Sequence, residues 1–327
     1  IGGWRPFPAS FVDDKKYGDC KALSNYMKST LDAVGIKSNI LIIYRDYEPK
    51  IVDEKFPMNN FNHAILCIPQ ATDTIWLECT STTLPFAMLD ETTLNRKAVM
   101  ITEGGGVLVN TPPSNYVTNT TGTHTVIDVD TDGSAKVSSV YTLFGEERDK
   151  TLMRFHDLKE DEKRKFIITG RDWKLPDVFN ITTSINKDNP YLVSSEMQYE
   201  KIYTFNAGNK LFFEPRLYPI FDEEIPEDSK RVSDYYFTYP YQSTDTTLYK
   251  FPVGYNAESI PKNKSVQYPF AAYSCNYNWD AATHTLMSVA LLQVKQRQVK
   301  AADYNKLLDF KNQVMSDINE KIVMKKE

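Results

Sequence analysis

The spacing of apolar residues near the start of the chain predicts one amphipathic helix. Asp19 is a favourable N-cap residue, and Gly35 stands where the pattern ends. Cys20 directly follows Gly-Asp, so it falls in the first turn and on the apolar stripe of the helix. The stripe recurs at helical spacing over Leu23, Met27, Leu31 and Val34. The sequence therefore predicts a cysteine at a helix start, facing whatever the helix packs against.

Short apolar runs after this helix predict a small, antiparallel sheet. NILIIY has the composition of a strand, FNHAILCIP and DTIWLECTS form a hairpin turned at QATD, and KAVMIT and VLVNTP form a further pair. Alternation puts His63, Ile65 and Cys67 on one face of the first hairpin strand. It puts Trp76 and Glu78 on one face of the second. The first part of the chain is thus predicted as one helix against a sheet.

A different pattern follows residue 113. The segment TPPSNYVTNTTGT, residues 111–123, is rich in Pro, Thr and Asn and has few core residues, so we place the linker there, with domains 1–113 and 114–327. Strands rich in Tyr, Phe, Thr and Val then continue to about residue 292 and fit an antiparallel sandwich or half-barrel. The pattern also predicts a charged helix over 146–168, an amphipathic helix over 301–318 and a last strand at KIVMKK. The predicted class is α+β.

Composition narrows the classes of protein. Hydrophobic residues make up 41% of the 327 residues and aromatic residues 13%, which is typical of a globular chain rather than a disordered one. A formal net charge of -5 argues against a nucleic-acid surface. No apolar run is long enough to span a membrane. The chain begins at Ile1 and not at Met, so we expect that a preceding segment, with any targeting signal, has been removed.

Four cysteines, at positions 20, 67, 79 and 275, lack CxxC spacing, which favours neither a zinc site nor a disulfide scaffold. We expect no metal and no cofactor. DVDTDGS, residues 128–134, does match the opening of a calcium loop, but Ser139 stands where such a loop requires a bidentate Glu. A hairpin turn rich in Asp and Gly explains this segment better.

Cys20, His63 and Glu78 form the strongest candidate constellation. A helix start and a nearby imidazolium both favour the thiolate form of a cysteine, whereas Asp19 works slightly against it. Neighbouring hairpin strands could present His63 to Cys20 and Glu78 to the far nitrogen of His63, which is the arrangement of nucleophile, base and orienting acid. The alternative is structural: free cysteines are commonly buried packing residues, and His63 could be an ordinary satisfied polar residue.

Three segments together resemble the bacterial transglutaminase-like superfamily, relatives of the papain-like thiol enzymes. They are YGDCKALSNYMKSTLDAVGI, FNHAILCIP and IWLECTSTTLPF, within roughly Trp4 to Pro112. The resemblance implies a partial papain-like core with Cys20 as nucleophile, His63 as base and Glu78 as third member. The later segments YKFPVGYNAESIP and QYPFAAYSCNYNW are similar to the β-rich domain of exported or surface-associated bacterial relatives, which implies a periplasmic or cell-surface location.

The sequence departs from the family pattern in two places. Glu78 stands where the family usually has Asp, and the helical segment that normally precedes the cysteine helix is missing, so we expect an incomplete cleft. For the oxyanion, the chain offers the backbone N–H of Cys20 and the indole N–H of Trp4, although Trp4 could equally be a cleft wall or a core residue. Residues 46–60 could border the cleft or form an ordinary solvated loop.

The leading functional prediction is acyl chemistry on peptide or side-chain amides through a Cys20 thioester, with a peptide or protein as substrate. The alternative is a catalytically degenerate scaffold or binding protein of the cell envelope that uses its β-rich domain. There, tyrosine-rich segments such as DYYFTYPYQS could stack on sugars or cover a peptide edge. A calcium-stabilised adhesion module is a third option that rests on DVDTDGS alone.

Overall fold

The structure is a computed structural model that describes residues 3, 5–48, 50, 52–56, 59–169, 175–184 and 191–327, with the side chains of 168 and 169 left out. The chain divides into two compact units, Ile1–Ser114 and Asn115–Glu327. Helices and mostly antiparallel sheets occur together, which confirms the predicted α+β class. Whether segments 1–113 and 114–327 fold as autonomous domains stays a prediction.

The described part of the first unit contains two helices and a five-stranded antiparallel sheet of order β3-β2-β1-β4-β5. Its elements are α1 (Ala9–Lys15), α2 (Cys20–Ala33), β1 (Asn39–Ile43), β2 (His63–Pro69), β3 (Thr74–Leu77), β4 (Lys97–Thr102) and β5 (Gly105–Asn110). Apolar side chains from the central strands and the loop before β4 form the core: Leu41, Ile43, Ile65, Cys67, Leu89 and Ala98. The predicted strand DTIWLECTS ends at Leu77, so Glu78 lies just beyond β3.

The face of α2 that packs against the sheet differs from the predicted one. Ala22 and Ser24 are completely buried, whereas Met27 and Val34 of the predicted stripe are 38% and 69% exposed. The hydroxyl of Ser24 donates to the carbonyl of Ala64 on β2 at 3.3 Å. Small side chains allow the helix backbone to approach the strand this closely, and larger apolar residues on the same face would keep it away.

The second unit is built on a large sheet. Its elements are β6 (Thr120–Val129), β7 (Ala135–Leu143), α3 (Glu146–His156), α4 (Glu160–Thr169), β8 (Val178–Ser184), β9 (Tyr191–Tyr199), β10 (Phe205–Ala207), β11 (Lys210–Phe213), β12 (Tyr235–Tyr236), β13 (Tyr241–Lys250), β14 (Tyr255–Ser259), β15 (Lys264–Gln267), β16 (Ala271–Asp280), β17 (Thr285–Val294), β18 (Gln298–Val299), a 3₁₀ turn (Ala301–Asp303), α5 (Tyr304–Ile318) and β19 (Ile322–Lys326). Over the described residues, eight strands form one sheet of order β15-β16-β17-β13-β6-β7-β9-β8, and four more form a second sheet of order β10-β11-β19-β14.

Two layers cover one face of the large sheet. At one end the small sheet packs on it, with Phe213 and Met324 against Ile127 and Tyr249. At the other end α5 packs on it through an apolar stripe of Tyr304, Leu307, Phe310 and Val314. The predicted C-terminal helix and last strand are thus both part of the core of this unit.

Two local predictions in this unit need correction. β6 and β13 pair in parallel, with Ile127 opposite Tyr249. A tight turn between two strands would make them antiparallel, but a long connection joins β6 to β13 and allows the parallel arrangement. The predicted continuous helix over 146–168 is two helices. The backbone N–H of Lys159 donates to the carboxylate of Glu162 at 2.8 Å, which is the capping-box bond of a new helix start.

A buried polar network joins α5 to the large sheet. The guanidinium of Arg216 lies 3.3 Å from a carboxylate oxygen of Asp317 and 2.8 Å from the sulfur of Cys275. Tyr273 donates its hydroxyl to the same carboxylate. Asp245 lies 4.0 Å from Nε of Arg216 on the other side. Buried carboxylates require such partners, so Arg216 stabilises both acids within the core.

Candidate active site

Asp19 and Cys20 form the start of α2. Asp19 is the N-cap: its side chain accepts a hydrogen bond from the backbone N–H of Ala22 at 3.0 Å. Its second oxygen lies 2.9 Å from Nζ of Lys21. Burial alone would raise the pKa of Asp19, but these donors outweigh burial and lower it. The negative charge next to Cys20 is therefore offset by Lys21, and the cysteine begins the helix as predicted.

His63 and Glu78 lie at the same end of two neighbouring antiparallel strands, β2 and β3. His63 is the first residue of β2, and Glu78 follows the last residue of β3, which pairs with β2 through Leu66 and Leu77. Nε2 of His63 lies 2.8 Å from Oε2 of Glu78. The side chains of His63 and Glu78 are only 7% and 1% exposed, so the contact is screened from water.

The Cys20 thiol is close enough to the same imidazole for His63 to be the largest influence on the pKa of Cys20. The hydrogen bond with His63 lowers the pKa of Cys20 against the opposing effect of burial. Burial would also lower the pKa of His63, but the bonds to Cys20 and Glu78 raise it to about 9. Both shifts favour transfer of the thiol proton to the imidazole.

Thr80 holds the second oxygen of Glu78. Its backbone N–H donates to Oε1 at 2.9 Å and its hydroxyl donates to the same atom at 2.5 Å. Burial would raise the pKa of Glu78, but His63 and these bonds outweigh it and lower the pKa, so the carboxylate is ionised. One oxygen of Glu78 thus contacts His63, while the hydrogen bonds from Thr80 hold the other oxygen in place.

Burial has the largest effect on the pKa of each of the other three cysteines. Burial raises the pKa of Cys67 and of Cys79 to about 11, and it raises the pKa of Cys275 as well. Cys20 is the one cysteine of the four whose pKa is lowered, and all four belong to the described residues. Ionisation therefore separates Cys20 from the cysteines that were predicted to be core residues.

Trp4 and part of the predicted cleft loop lie outside the described residues. Trp4, the candidate oxyanion donor or cleft wall, lies outside the described residues. In the loop predicted to border the cleft, Phe56 is 64% exposed, and Met58 also lies outside the described residues. The backbone N–H of Cys20 lies at the helix start, and its role as an oxyanion donor stays a prediction.

Sequence reasoning missed three polar residues around His63 and Glu78. Asn62 accepts a hydrogen bond from the backbone N–H of Arg45 at 2.7 Å and donates to its carbonyl at 3.0 Å, which ties the end of β1 to the residue before His63. Arg45 also donates to the hydroxyl of Thr80 at 3.3 Å. Thr80 could have been suspected from its position two residues after Glu78, where hydroxyl residues commonly form local turns. Arg45 has no such local signal.

DVDTDGS forms the turn between β6 and β7, with the backbone N–H of Ser134 donating to Asp132 at 2.9 Å. Over the residues that the structure describes, no three His, Cys, Asp or Glu side chains are grouped so as to ligate a metal. Among the described residues, no helix has both the length and the apolar composition that a membrane span requires.

Comparison with known proteins gives two similarities. Residues 209–324 match the family model DUF3858, described as a domain of unknown function with a solved structure. The fold is similar to a crystal structure described as a "putative protease" from Parabacteroides distasonis, with a TM-score of 0.51 and 11% identity. The match covers 98% of this chain and 48% of that chain, so this chain spans about half of the length of that protein. No curated protein sequence matches.

Proposed function

We propose that the protein performs acyl chemistry on peptide or side-chain amides through Cys20, as a transglutaminase-like relative of the papain-like thiol enzymes. One observation carries the proposal: Nε2 of His63 lies 2.8 Å from Glu78, and the same imidazole lowers the pKa of Cys20. The neighbouring protein described as a protease supports this reading at the level of the fold. The substrate would be a peptide or a protein, and an exported location stays a prediction from the sequence resemblance.

The residues suggest a two-step reaction. The Cys20 thiolate attacks the carbonyl carbon of the amide, and the backbone N–H at the helix start stabilises the oxyanion. The imidazolium of His63 gives its proton to the leaving amine as the C–N bond breaks, which leaves a thioester on Cys20. Water or a second amine then attacks the thioester and gives its proton back through His63, and the C–S bond breaks. Glu78 keeps the imidazole ring oriented throughout.

The first test is selective alkylation. Iodoacetamide should label Cys20 before Cys67, Cys79 and Cys275 in the intact chain, with a pH midpoint well below the value of about 8.5 for an ordinary thiol. Peptide mapping identifies the labelled residue. His63→Ala is the matched variant and should slow the labelling of Cys20 and move its pH midpoint up towards that of an ordinary thiol. Equal and slow labelling of all four cysteines would contradict the proposal.

The second test is acyl transfer to the thiol without a known substrate. p-Nitrophenyl acetate should acetylate Cys20, with loss of p-nitrophenolate, and intact-mass analysis should show one added acetyl group. Cys20→Ala should show none, while Cys67→Ala should behave like the wild type because that thiol is buried. Acetylation at any residue other than Cys20 would argue against a thiol enzyme.

A specific observation also favours the second candidate function, ligand binding by the β-rich unit. The tyrosine-rich segment DYYFTYPYQS contributes Tyr239 and Tyr241 to a cleft of about 380 Å³, which also includes Tyr141. The cleft carries hydroxyl groups on Thr121, Thr238 and Ser243. Aromatic rings next to hydroxyl groups suit a sugar ring, which has one apolar face and a polar edge.

Titration calorimetry with chitotriose, a soluble oligosaccharide, tests this candidate on the full chain. Tyr241→Phe removes a hydroxyl group from the cleft while keeping the ring, and it should weaken binding roughly fivefold to tenfold. Tyr236→Phe is the control, because Tyr236 belongs to the same segment but is absent from the cleft lining. If neither substitution changes the heat of binding, the sugar binds outside this cleft.

A further inference from the structure

Arg45 connects the triad to a second acid. Its side chain donates to the hydroxyl of Thr80 at 3.3 Å, to the hydroxyl of Thr92 at 3.1 Å and to the carboxylate of Asp90 at 2.9 Å. Thr92 donates its own hydroxyl to Asp90. A planar guanidinium with several bonds in fixed directions keeps its orientation better than a single flexible contact would. The side chain is 33% exposed and the partner Asp90 is 13% exposed.

The chain of contacts ends at the carboxylate that orients His63. Thr80 donates its hydroxyl to Oε1 of Glu78 at 2.5 Å, and Oε2 of Glu78 lies 2.8 Å from His63. A hydroxyl has one proton to donate and lone pairs to accept with. Thr80 can therefore donate its proton to Glu78 and accept a hydrogen bond from Arg45 at the same time. This arrangement sets the direction of the Thr80 hydroxyl.

The positive charge of Arg45 also acts on His63. Hydrogen bonds from Cys20 and Glu78 raise the pKa of His63 against the effect of burial, and the charge of Arg45 opposes that rise. A general acid has to release its proton to the leaving amine, and an imidazolium with too high a pKa does so slowly. Moderating the proton affinity of His63 is therefore useful for the second half of the reaction.

We propose that Arg45 is a positioning residue of the thiol site, which orients Glu78 through Thr80 and places a positive charge on the Thr80 side of the Glu78–His63 pair. This inference rests on the proposed acyl chemistry for its consequence on rate. Its effect on His63 can be measured without any substrate. Arg45 itself contacts none of Cys20, His63 or the reacting atoms, so it is not a catalytic residue in the direct sense.

The test compares Arg45→Met with Lys28→Met. Lys28 is a matched control, since it is 34% exposed, forms a 2.9 Å ion pair with Asp32 and lies two turns along α2 from Cys20. The full chain has four histidines, whose titration is followed by NMR. Arg45→Met should raise the pKa of His63 by roughly 0.5 unit, and Lys28→Met should leave it unchanged. The pH profile of Cys20 acetylation by p-nitrophenyl acetate should move at its alkaline limb by the same amount.

Further variants separate charge from geometry and guard against misfolding. Arg45→Lys keeps the charge, so the pKa of His63 should stay near the wild-type value while acetylation falls several-fold. Thr80→Val should lower acetylation in the same way, and Thr80→Ser, which restores the hydroxyl, should recover most of it. Far-UV circular dichroism checks that each variant is folded.

The outcomes distinguish this inference from the proposed function. If the wild type acetylates Cys20 but Arg45→Met matches Lys28→Met in both pKa and pH profile, the role of Arg45 is wrong and the thiol chemistry stands. If the wild type is never acetylated, the proposed function fails. The His63 titration then still decides the electrostatic role, since a shift in Arg45→Met supports it and the lack of one rejects it.

Discussion

The hydroxyl of Ser24 donates to the backbone carbonyl of Ala64 at 3.3 Å, and this bond joins α2 to β2 one residue after His63. Ser24 lies one helical turn beyond Cys20, so the bond holds the cysteine end of the helix against the histidine end of the strand. Both residues are completely buried. Small residues next to Cys20 and His63 therefore set the distance between helix and strand.

Enlarging this contact should separate the thiol from the imidazole. Ser24→Leu adds volume at a buried position with no space for it, and we expect it to push α2 away from β2 and cost about 1–3 kcal/mol of the free energy of unfolding. The rate of Cys20 alkylation at pH 6.5 should fall at least fivefold as the ion pair weakens. Ser24→Ala is the control, because it loses one hydrogen bond and keeps the packing. Unchanged labelling in Ser24→Leu would show that the two side chains are held by other contacts.

Neutralising Glu78 should lower the proton affinity of His63. In Glu78→Gln the ring loses the carboxylate 2.8 Å from Nε2, so the pKa of His63 should fall by one unit or more, to about 8 or below. Because His63 then holds a proton less tightly, the pair shifts towards the neutral thiol and neutral imidazole, and the alkylation rate of Cys20 at pH 6.5 should drop roughly tenfold. Glu78→Asp keeps the charge but shortens the side chain and should give an intermediate rate. An aspartate variant faster than the wild type would show that glutamate is a poor third member here.

The ion pair should exist over a defined pH window. His63 has a raised pKa, so its imidazolium is present at low pH and is lost as the pH rises through about 9. Cys20 has a lowered pKa, so its thiolate is present above that pKa and is lost as the pH falls through it. The difference in ultraviolet absorbance near 240 nm between wild type and Cys20→Ala reports the thiolate. It should appear well below pH 8.5, and a midpoint at or above 8.5 would contradict the pair.

Removing the buried guanidinium should destabilise the second unit strongly. Arg216→Met leaves Asp317 and Asp245 buried without their cation, and we expect a loss of about 3–5 kcal/mol in the free energy of unfolding by urea. Lys306→Met removes a cation from an exposed ion pair on α5 and should cost less than about 1 kcal/mol. Equal losses would show that the Arg216 network adds nothing beyond an ordinary surface pair.

The domain boundary predicts that residues 114–327 fold alone. This segment contains the large sheet, the small sheet and α5, together with the core that they share. Expressed separately, it should unfold in one cooperative transition and keep a near-ultraviolet spectrum from its packed tyrosines. A gradual transition with no near-ultraviolet signal would mean that it depends on residues 1–113.

Local chemistry explains which features could be predicted. Asp19 as N-cap, the alternation that puts His63 and Glu78 on the same side of a hairpin, and the stripe of α5 all depend on residues close together in sequence. Each of these was read from a cap, a period of two or a period of 3.6. The split between α3 and α4 also had a local signal, in the spacing of Lys159 and Glu162, which the charge pattern hid.

Contacts between residues far apart in sequence determined the features that the sequence pattern did not predict. Whether α2 buries Leu23 and Met27 or Ala22 and Ser24 depends on the strand that it meets, and its periodicity alone favoured the larger residues. The parallel pairing of β6 with β13 joins segments more than a hundred residues apart, and no turn residue indicates it. Arg45 meets Thr80 and Asp90 in the same way, through folding alone.

The sequence by itself thus determined the α+β class, the helix that starts at Cys20, and the order in which cysteine, histidine and glutamate follow one another. These are properties of short segments, where backbone geometry and side-chain period dominate. The tertiary structure decided that His63 contacts Glu78 and that Thr80 holds Glu78 in place. It also decided that the pKa of Cys20 falls beside His63, while burial raises the pKa of each of the other cysteines. Ionisation depends on distance and burial in three dimensions, and sequence spacing contains neither.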